Sequence, residues 1–350
     1  MKVRWKHLLM FAVLAPMLGL GLAWSGLMSV RASTGHWAAT DWFLHWVMRN
    51  SVATASLSVQ PPALDDPALV PPAAGHFETG CATCHGSPAQ GRSPAALAML
   101  PPPPDLKQVV AEWSDAQLFE IVKHGVRFTG MPSWPSLTRD DEIWAMVAFL
   151  KKLPQLDGEG YINASGLHGM GTAGEVSPLP ITCESCHAEN KLDDTSLIPR
   201  LAGQSKAYLL ESLRAYHGGN RPSGFMGVAV ATLPDESLPE LARYYATQQP
   251  RPRDRPTNDL KLAESGARLA ENGRSIDKIP ACLGCHDSAR ANPAYPRLAG
   301  QNSAYLVRQL NLFRAWNRGG GAANHLMVTA AKNLTNTDIE ALAGYFAHRP

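Results

Sequence analysis

Apolar residues recur at helical spacing through most of the chain, and no segment shows the sustained alternation of a strand. At the N-terminus Lys2, Arg4 and Lys6 precede an uncharged run from Leu8 to Val30. A run of that length can cross a bilayer core of about 30 Å. Its basic flank is expected to stay cytoplasmic, with everything after Arg31 on the far side. A cleaved signal peptide would have an apolar core of only about 7–15 residues, and Val30-Arg31-Ala32 is a poor cleavage site. Both readings put the rest of the chain outside the cytoplasm. Beyond the run, Trp42, Trp46 and Arg49 fall on one helical face. That face fits a helix lying on the membrane surface, or one packed on a neighbouring domain or a partner subunit. A helix is predicted over 139–152, with Ile143, Trp144, Val147 and Leu150 inward and Thr138 able to cap it, Asp141 lying three residues on. Further helices are predicted over 205–217 and 303–317.

Proline-rich stretches from Gln60 to Pro72, Leu153 to Ser165 and Gln249 to Pro256 read as connections. Two blocks repeat on either side of the last one. Pro199-Arg200-Leu201-Ala202-Gly203-Gln204 returns as Pro296-Arg297-Leu298-Ala299-Gly300-Gln301. Leu241-Ala242-Arg243-Tyr244-Tyr245-Ala246 returns as Leu342-Ala343-Gly344-Tyr345-Phe346-Ala347. The expected organisation is an anchor with an interfacial helix over 1–57, then domains over 58–160, 161–254 and 255–350.

Charge adds little, because 32 basic and 30 acidic residues leave a net +2. A nucleic-acid binder would show a strongly basic face. The cysteines change the picture. All six lie in three copies of one motif: Cys81-Ala-Thr-Cys84-His85, Cys183-Glu-Ser-Cys186-His187 and Cys282-Leu-Gly-Cys285-His286. Cys-x-x-Cys-His is the signature of c-type haem attachment. The two thiols can form thioether bonds to the two vinyl groups of one haem, and the adjacent histidine can ligate its iron. A zinc site needs four ligands, and each motif offers at most three. No cysteine remains for a disulfide or a thiol nucleophile. Three covalently bound haem c groups are therefore expected, with His85, His187 and His286 on the irons and no catalytic side chain.

Each motif is followed at a similar distance by a methionine: Met131 in Gly-Met-Pro, Met226 in Phe-Met-Gly and Met327 in Leu-Met-Val. Methionine as sixth ligand raises the potential and suits electron transfer, whereas an open iron suits gas or peroxide chemistry. Met99 and His124 compete with Met131, His217 with Met226, and His325 with Met327. His45, His76 and His168 read as surface or packing residues.

These residues resemble the class I cytochrome c superfamily. The stretch from Gly166 to Pro350 resembles dihaem cytochrome c4 in its motifs, its Pro-Arg-Leu-Ala-Gly-Gln blocks, its Tyr-Leu helices, its distal methionines and its terminal helices. The resemblance implies two all-helical domains with haems close enough for fast transfer between them. It departs in the first helix, where the family usually has an aromatic residue. Here stand the glycine-rich Gly166-Leu167-His168-Gly169-Met170-Gly171 and, in the last domain, Leu269. The first domain, through Gly130-Met131-Pro132, resembles the single-haem domain of membrane-bound cytochrome c subunits. The implied fold class is all-α, with three tandem class I cytochrome c domains after an N-terminal transmembrane helix. The implied function is a trihaem carrier on the periplasmic face of a bacterial inner membrane. It would pass electrons between a respiratory reductase or dehydrogenase and a terminal acceptor such as an oxidase. A fixed subunit of a dehydrogenase or oxidase complex is the alternative, and a haem peroxidase a lesser one.

Overall fold

The computed structural model describes residues 5–35, 37–166, 179–250, 260–286 and 292–349. Among these the protein is all-α, with one isolated bridge between Arg274 and Ile279. His168, the rest of 167–171 and residues 251–256 lie outside the described residues. Helix α1 (Trp5–Trp24) has a mean hydropathy of 1.8, and its residues are exposed. Its 20 residues span about 30 Å, enough to cross a membrane.

Helix α2 (Ala38–Ala55) is seated on the segment that follows. Arg49 is the tie: it pairs with Glu112 and lies 4.7 Å over the Trp113 ring. Trp42, Phe43 and Trp46 stay exposed, and the two tryptophans stack at 6.3 Å. The helix therefore packs on the segment that carries Glu112 and Trp113 and keeps an open aromatic surface.

The largest apolar cluster lies among α3 (Val70–Gly80), α4 (Asp115–His124), α5 (Asp140–Lys152) and α6 (Gly158–Ser165). Phe77 of α3 meets Phe149 of α5 at 5.1 Å and Tyr161 of α6 at 6.3 Å. Each buried side chain of this size contributes about 1.5–3 kcal/mol. Ile143, Val147 and Leu150 face inward as expected, and Trp144 stacks on Phe119 at 4.3 Å. The start of α5 differs from expectation. Its N-cap is Arg139 rather than Thr138, and that guanidinium grips Asp141 at 2.8 and 2.9 Å, so Asp141 does not close a capping box. The stretch from Leu153 to Ser165 is also more than a connection. It forms a 3-10 turn and then α6, whose Tyr161 is fully buried in the cluster.

The middle part contains α7 (Leu179–His187), α8 (Lys206–His217), α9 (Gly224–Ala231) and α10 (Leu238–Ala246). Ser205 caps α8 by accepting from Tyr208 N. The apolar cluster here is small, and among the described residues its buried members are Leu209, Ala242 and Tyr245.

The C-terminal part contains α11 (Leu260–Asn272), α12 (Ser303–Arg314), α13 (Asn324–Ala331) and α14 (Asn336–His348). Helices α11 and α14 cross closely because Gly266 has no side chain; a Cβ there would overlap the Ala341 carbonyl. Leu269 is buried in the same cluster as Leu342 and Phe346. Asp338 closes a capping box with Thr335 and takes two bonds from Arg274, at 2.9 and 2.7 Å. The Arg274 bonds hold the Asp338 carboxyl at about 2, below its ordinary 3.8. A carboxyl depressed by folding stabilises above its unfolded value and loses that contribution as pH falls through the folded one. Melting of this part, followed by circular dichroism, is therefore expected to weaken between about pH 4 and pH 2. Arg274→Gln should flatten that acid dependence.

The repeated blocks join the middle and C-terminal parts. Gln301 accepts from Arg200 N at 2.9 Å and donates to Arg200 O at 3.0 Å. Gln204 accepts from Arg297 N at 2.9 Å and donates to Arg297 O at 2.7 Å. This reciprocal exchange is that of a twofold-related pair.

Candidate haem sites

Helix α3 ends where the first motif begins. Cys81 N donates to Phe77 O at 2.8 Å, and a single turn, Ala82–His85, is closed by His85 N on Cys81 O at 3.0 Å. Gly86, at φ 72°, then turns the chain away. The third motif repeats this turn over Leu283–His286, with His286 N on Cys282 O at 3.1 Å. The second motif forms the last turn of α7. The geometry keeps two thiols and one imidazole within a few residues of backbone.

All three histidines make the same second bond. Nδ1 meets a proline carbonyl: His85 with Pro104 at 3.0 Å, His187 with Pro199 at 3.1 Å, and His286 with Pro296 at 2.9 Å. A carbonyl only accepts, so Nδ1 carries the proton and Nε2 keeps its lone pair for a metal. Burial lowers His85, with the Arg92 charge adding to it, and burial lowers His187. Neutral rings of this kind are the ligating form. Sequence reasoning missed the three prolines. Pro199 and Pro296 open the repeated block, so a signal was present, although its purpose was not.

Burial pushes the Cys81 thiol up to about 12, and those of Cys183 and Cys282 up to about 11. Such thiols stay protonated at neutral pH and are poor free nucleophiles. None of the six cysteines is in a disulfide. Among the described residues, no group of three or more His, Cys, Asp or Glu converges on a bare metal ion.

The methionines are placed less uniformly. Met327, on α13, brings Sδ to 3.4 Å from His286 Nε2. Met226 is in the first turn of α9, its N–H capped by Ser223 Oγ at 3.0 Å. Met131 lies in a loop, where its carbonyl accepts from Val126 N at 3.2 Å and its N–H donates to Thr129 Oγ1 at 3.1 Å. Met99 reaches the same loop, since a Cβ on Gly130 would overlap its methyl. The rival histidines are engaged close to their own elements. His217 Nε2 is bonded to Leu233 O at 3.2 Å, His325 Nδ1 to Ala322 O at 2.9 Å, and His124 faces Glu120 at 3.7 Å. His76 is a packing residue, buried between Trp134 and Phe225, and burial lowers it to about 4. His45 lies 3.3 Å from Arg49 Nε.

Several buried polar groups match what a haem brings. Trp134 Nε1 and the Tyr245 hydroxyl are buried without a partner among the described residues, and Cys183 packs against the cluster that holds Tyr245. Arg221 is 5% exposed, and its side-chain bonds among the described residues go to Tyr305 Oη at 3.1 Å, Gln309 Oε1 at 3.2 Å and Tyr208, with no carboxylate among them. Haem propionates would supply both acceptors and counter-charge. Two thiols, a neutral imidazole, a thioether and donors for carboxylates together fit haem c.

Helical architecture, the Cys-x-x-Cys-His turns and the carbonyl-oriented imidazoles define a c-type cytochrome. Residues 68–150 match the family described as cytochrome C oxidase, cbb3-type, subunit III. Cytochrome c4 of Azotobacter vinelandii is 32% identical over 190 residues, which cover 51% of this chain and 89% of that one. The thiosulfate dehydrogenase electron acceptor of Stutzerimonas stutzeri is 32% identical over 181 residues, covering 51% and 83%. The crystal structure of reduced recombinant cytochrome c4 from Pseudomonas stutzeri has 31% identity and a TM-score of 0.43, covering 48% of this chain and 93% of that one. The chain belongs, over about half of its length, to the cytochrome c4 family of electron-transfer proteins with covalently bound haem.

Proposed function

We propose that the chain is a membrane-anchored trihaem cytochrome that relays electrons on the periplasmic face of a bacterial inner membrane. The observation that carries this reading is one local design made three times: a Cys-x-x-Cys-His turn whose imidazole Nδ1 is bonded to a proline carbonyl. Helix α1 is the single-pass anchor, and residues 58–160, 161–254 and 255–350 are the three haem domains. Cys81 and Cys84, Cys183 and Cys186, and Cys282 and Cys285 attach the haems. His85 with Met131, His187 with Met226, and His286 with Met327 are the axial ligands. Haem c supplies a one-electron couple. The chain holds it, shields it from water and tunes it through the ligands and the buried donors around it. The donor is a respiratory dehydrogenase or reductase and the acceptor a terminal oxidase or its equivalent. A relative described as the electron acceptor of thiosulfate dehydrogenase supports a dehydrogenase as donor.

A second reading, a fixed subunit of a membrane complex, is favoured by the exposed Trp42, Phe43 and Trp46 on α2. Copurification of a stable partner in mild detergent would select it. The primary reading predicts three haems per chain by pyridine haemochrome assay. Met131→Ala, Met226→Ala and Met327→Ala should each abolish one methionine–iron charge-transfer signal and lower one midpoint potential. A replacement that leaves spectrum and potentials unchanged removes that methionine from the ligand set.

A further inference from the structure

The middle and C-terminal motifs are repeats in sequence, but they have different surroundings. Helix α3, from the N-terminal cluster, is pressed against the middle motif. A methyl group on Gly75 would stand 2.8 Å from Cys186 Sγ, closer than real side-chain carbons approach. The adjacent His76 ring is buried between Trp134 at 5.0 Å and Phe225 at 5.2 Å, and Phe225 is the neighbour of Met226. Gly224 sits against the Trp134 indole with no room for a side chain. Beside these contacts Arg139 Nη1 donates to Pro222 O at 2.7 Å, and Glu142 accepts from Ser223 Oγ at 2.6 Å and from Gly224 N. The N-terminal cluster therefore holds both an attachment thiol and the start of the helix that carries Met226. Among the described residues the third motif has no such cover: Cys285 is exposed and Gly284 has open space around it.

We propose that the N-terminal domain is a built-in redox partner of the middle haem site, permanently docked over Cys186 and the start of α9 so that electrons pass between the two within one chain. This inference rests on the trihaem reading above. Each transfer moves one electron from a ferrous to a ferric haem across the contact; no bond is made or broken and no proton is needed. An external one-electron redox protein supplies or removes the electron elsewhere on the chain. Glycine at both points of closest approach lets the Cys186 sulfur and the Trp134 indole sit where a side chain on Gly75 or Gly224 would otherwise stand. The buried Arg139 and Glu142, with the half-buried Asp141, make the docking a part of the fold.

The test uses the full-length holoprotein in mild detergent. A flash-generated reductant delivers less than one electron per chain, and redistribution among the haems is followed by absorbance. Gly75→Leu is expected to slow redistribution by about tenfold or more, because transfer between positioned partners falls steeply with ångström displacements. Haem content and midpoint potentials should remain those of the parent, and amide exchange in α3 should rise. Gly75→Ala, a single methyl, should give a smaller change of the same sign and serves if the leucine variant does not fold. Gly91→Leu, in open space on the same domain, should change nothing. Parent-rate redistribution in a Gly75 variant whose α3 exchange has risen overturns the proposal. So does a leucine accepted with neither exchange nor rate altered, since no close seat then exists at Gly75. Fewer than three haems in the parent would refute the trihaem reading itself, whereas three haems with unaltered redistribution would refute only this inference.

Discussion

Arg139→Ala is expected to lower stability by about 3–5 kcal/mol, the usual result of removing one partner from a buried ion pair. Arg139 is 7% exposed and Glu142 2%. The guanidinium meets Asp141 in a bidentate pair, Glu142 Oε1 at 3.0 Å and Pro222 O at 2.7 Å. Without it Asp141 keeps Arg308 at 3.4 Å, while Glu142 keeps only Ser223 and the Gly224 N–H. Burial already raises the Glu142 carboxyl, and Arg139 is the largest force opposing that rise. In the variant the folded state therefore holds a proton that the unfolded state releases. Folding then weakens as pH rises through the folded value and recovers below it. The deficit in urea denaturation should be larger at about pH 8 than at about pH 5. Amide exchange in α5 reads the local event better than a global midpoint, because several cooperative units share the chain. Arg139→Leu combined with Glu142→Leu should recover much of the loss, since an apolar pair can replace a buried ion pair. A deficit under about 1 kcal/mol that does not change with pH would mean that the cluster is not the buried clamp described.

The parts of this architecture that were legible in the sequence are local. A Cys-x-x-Cys-His motif spans one helical turn, so its identity and its shape come together. The inward face of α5 was legible for the same reason, because Ile143, Val147 and Leu150 lie within two turns. The parts that were missed depend on distant partners. Pro199 and Pro296 were seen as members of a repeat, but a carbonyl that orients an imidazole leaves no mark on residue type. Gln204 and Gln301 were likewise visible as repeated letters, while each one's partner is the backbone of the other copy. Thr138 looked like a cap, and tertiary capture of Asp141 by Arg139 cancelled it. The seat of Gly75 on Cys186 joins residues more than a hundred positions apart, and a glycine in a helix gives no hint of what it faces. The methionines fall between these cases. Their spacing pointed to one candidate after each motif, and of the three the sulfur of Met327 lies against its histidine in the structure.

Replacing both Cys183 and Cys186 by serine is expected to remove one haem per chain and to unfold the middle part, whereas serine at Cys81 and Cys84 should leave the N-terminal cluster folded. The difference follows from what each part buries without a cofactor. Phe77, Ile143, Met146, Phe149 and Tyr161 are all fully buried in the N-terminal cluster, and they come from three helices, α3, α5 and α6. The middle part clusters only Leu209, Ala242 and Tyr245 among the described residues, with Ile198, Val230, Leu238 and Leu241 buried outside that cluster, and the Tyr245 hydroxyl has no partner among the described residues. Small domains with so little apolar core depend on a metal, a cofactor or a cross-link to offset the entropy of ordering their chain. A covalent haem is all three at once. Held by Cys183 and Cys186, it would tie α7 to its surroundings, add apolar surface to the small cluster and supply acceptors for Tyr245 and Arg221. Mass spectrometry should show two haems instead of three in each variant. Amide exchange should then separate them: protection in α8 and α10 collapses in the Cys183/Cys186 variant, and protection in α3 and α5 persists in the Cys81/Cys84 variant. Persisting protection of α8 and α10 after loss of the middle haem would show that the reciprocal Gln204 and Gln301 bonds to the C-terminal part hold the middle helices by themselves. The haem would then be cargo of the middle part rather than its core.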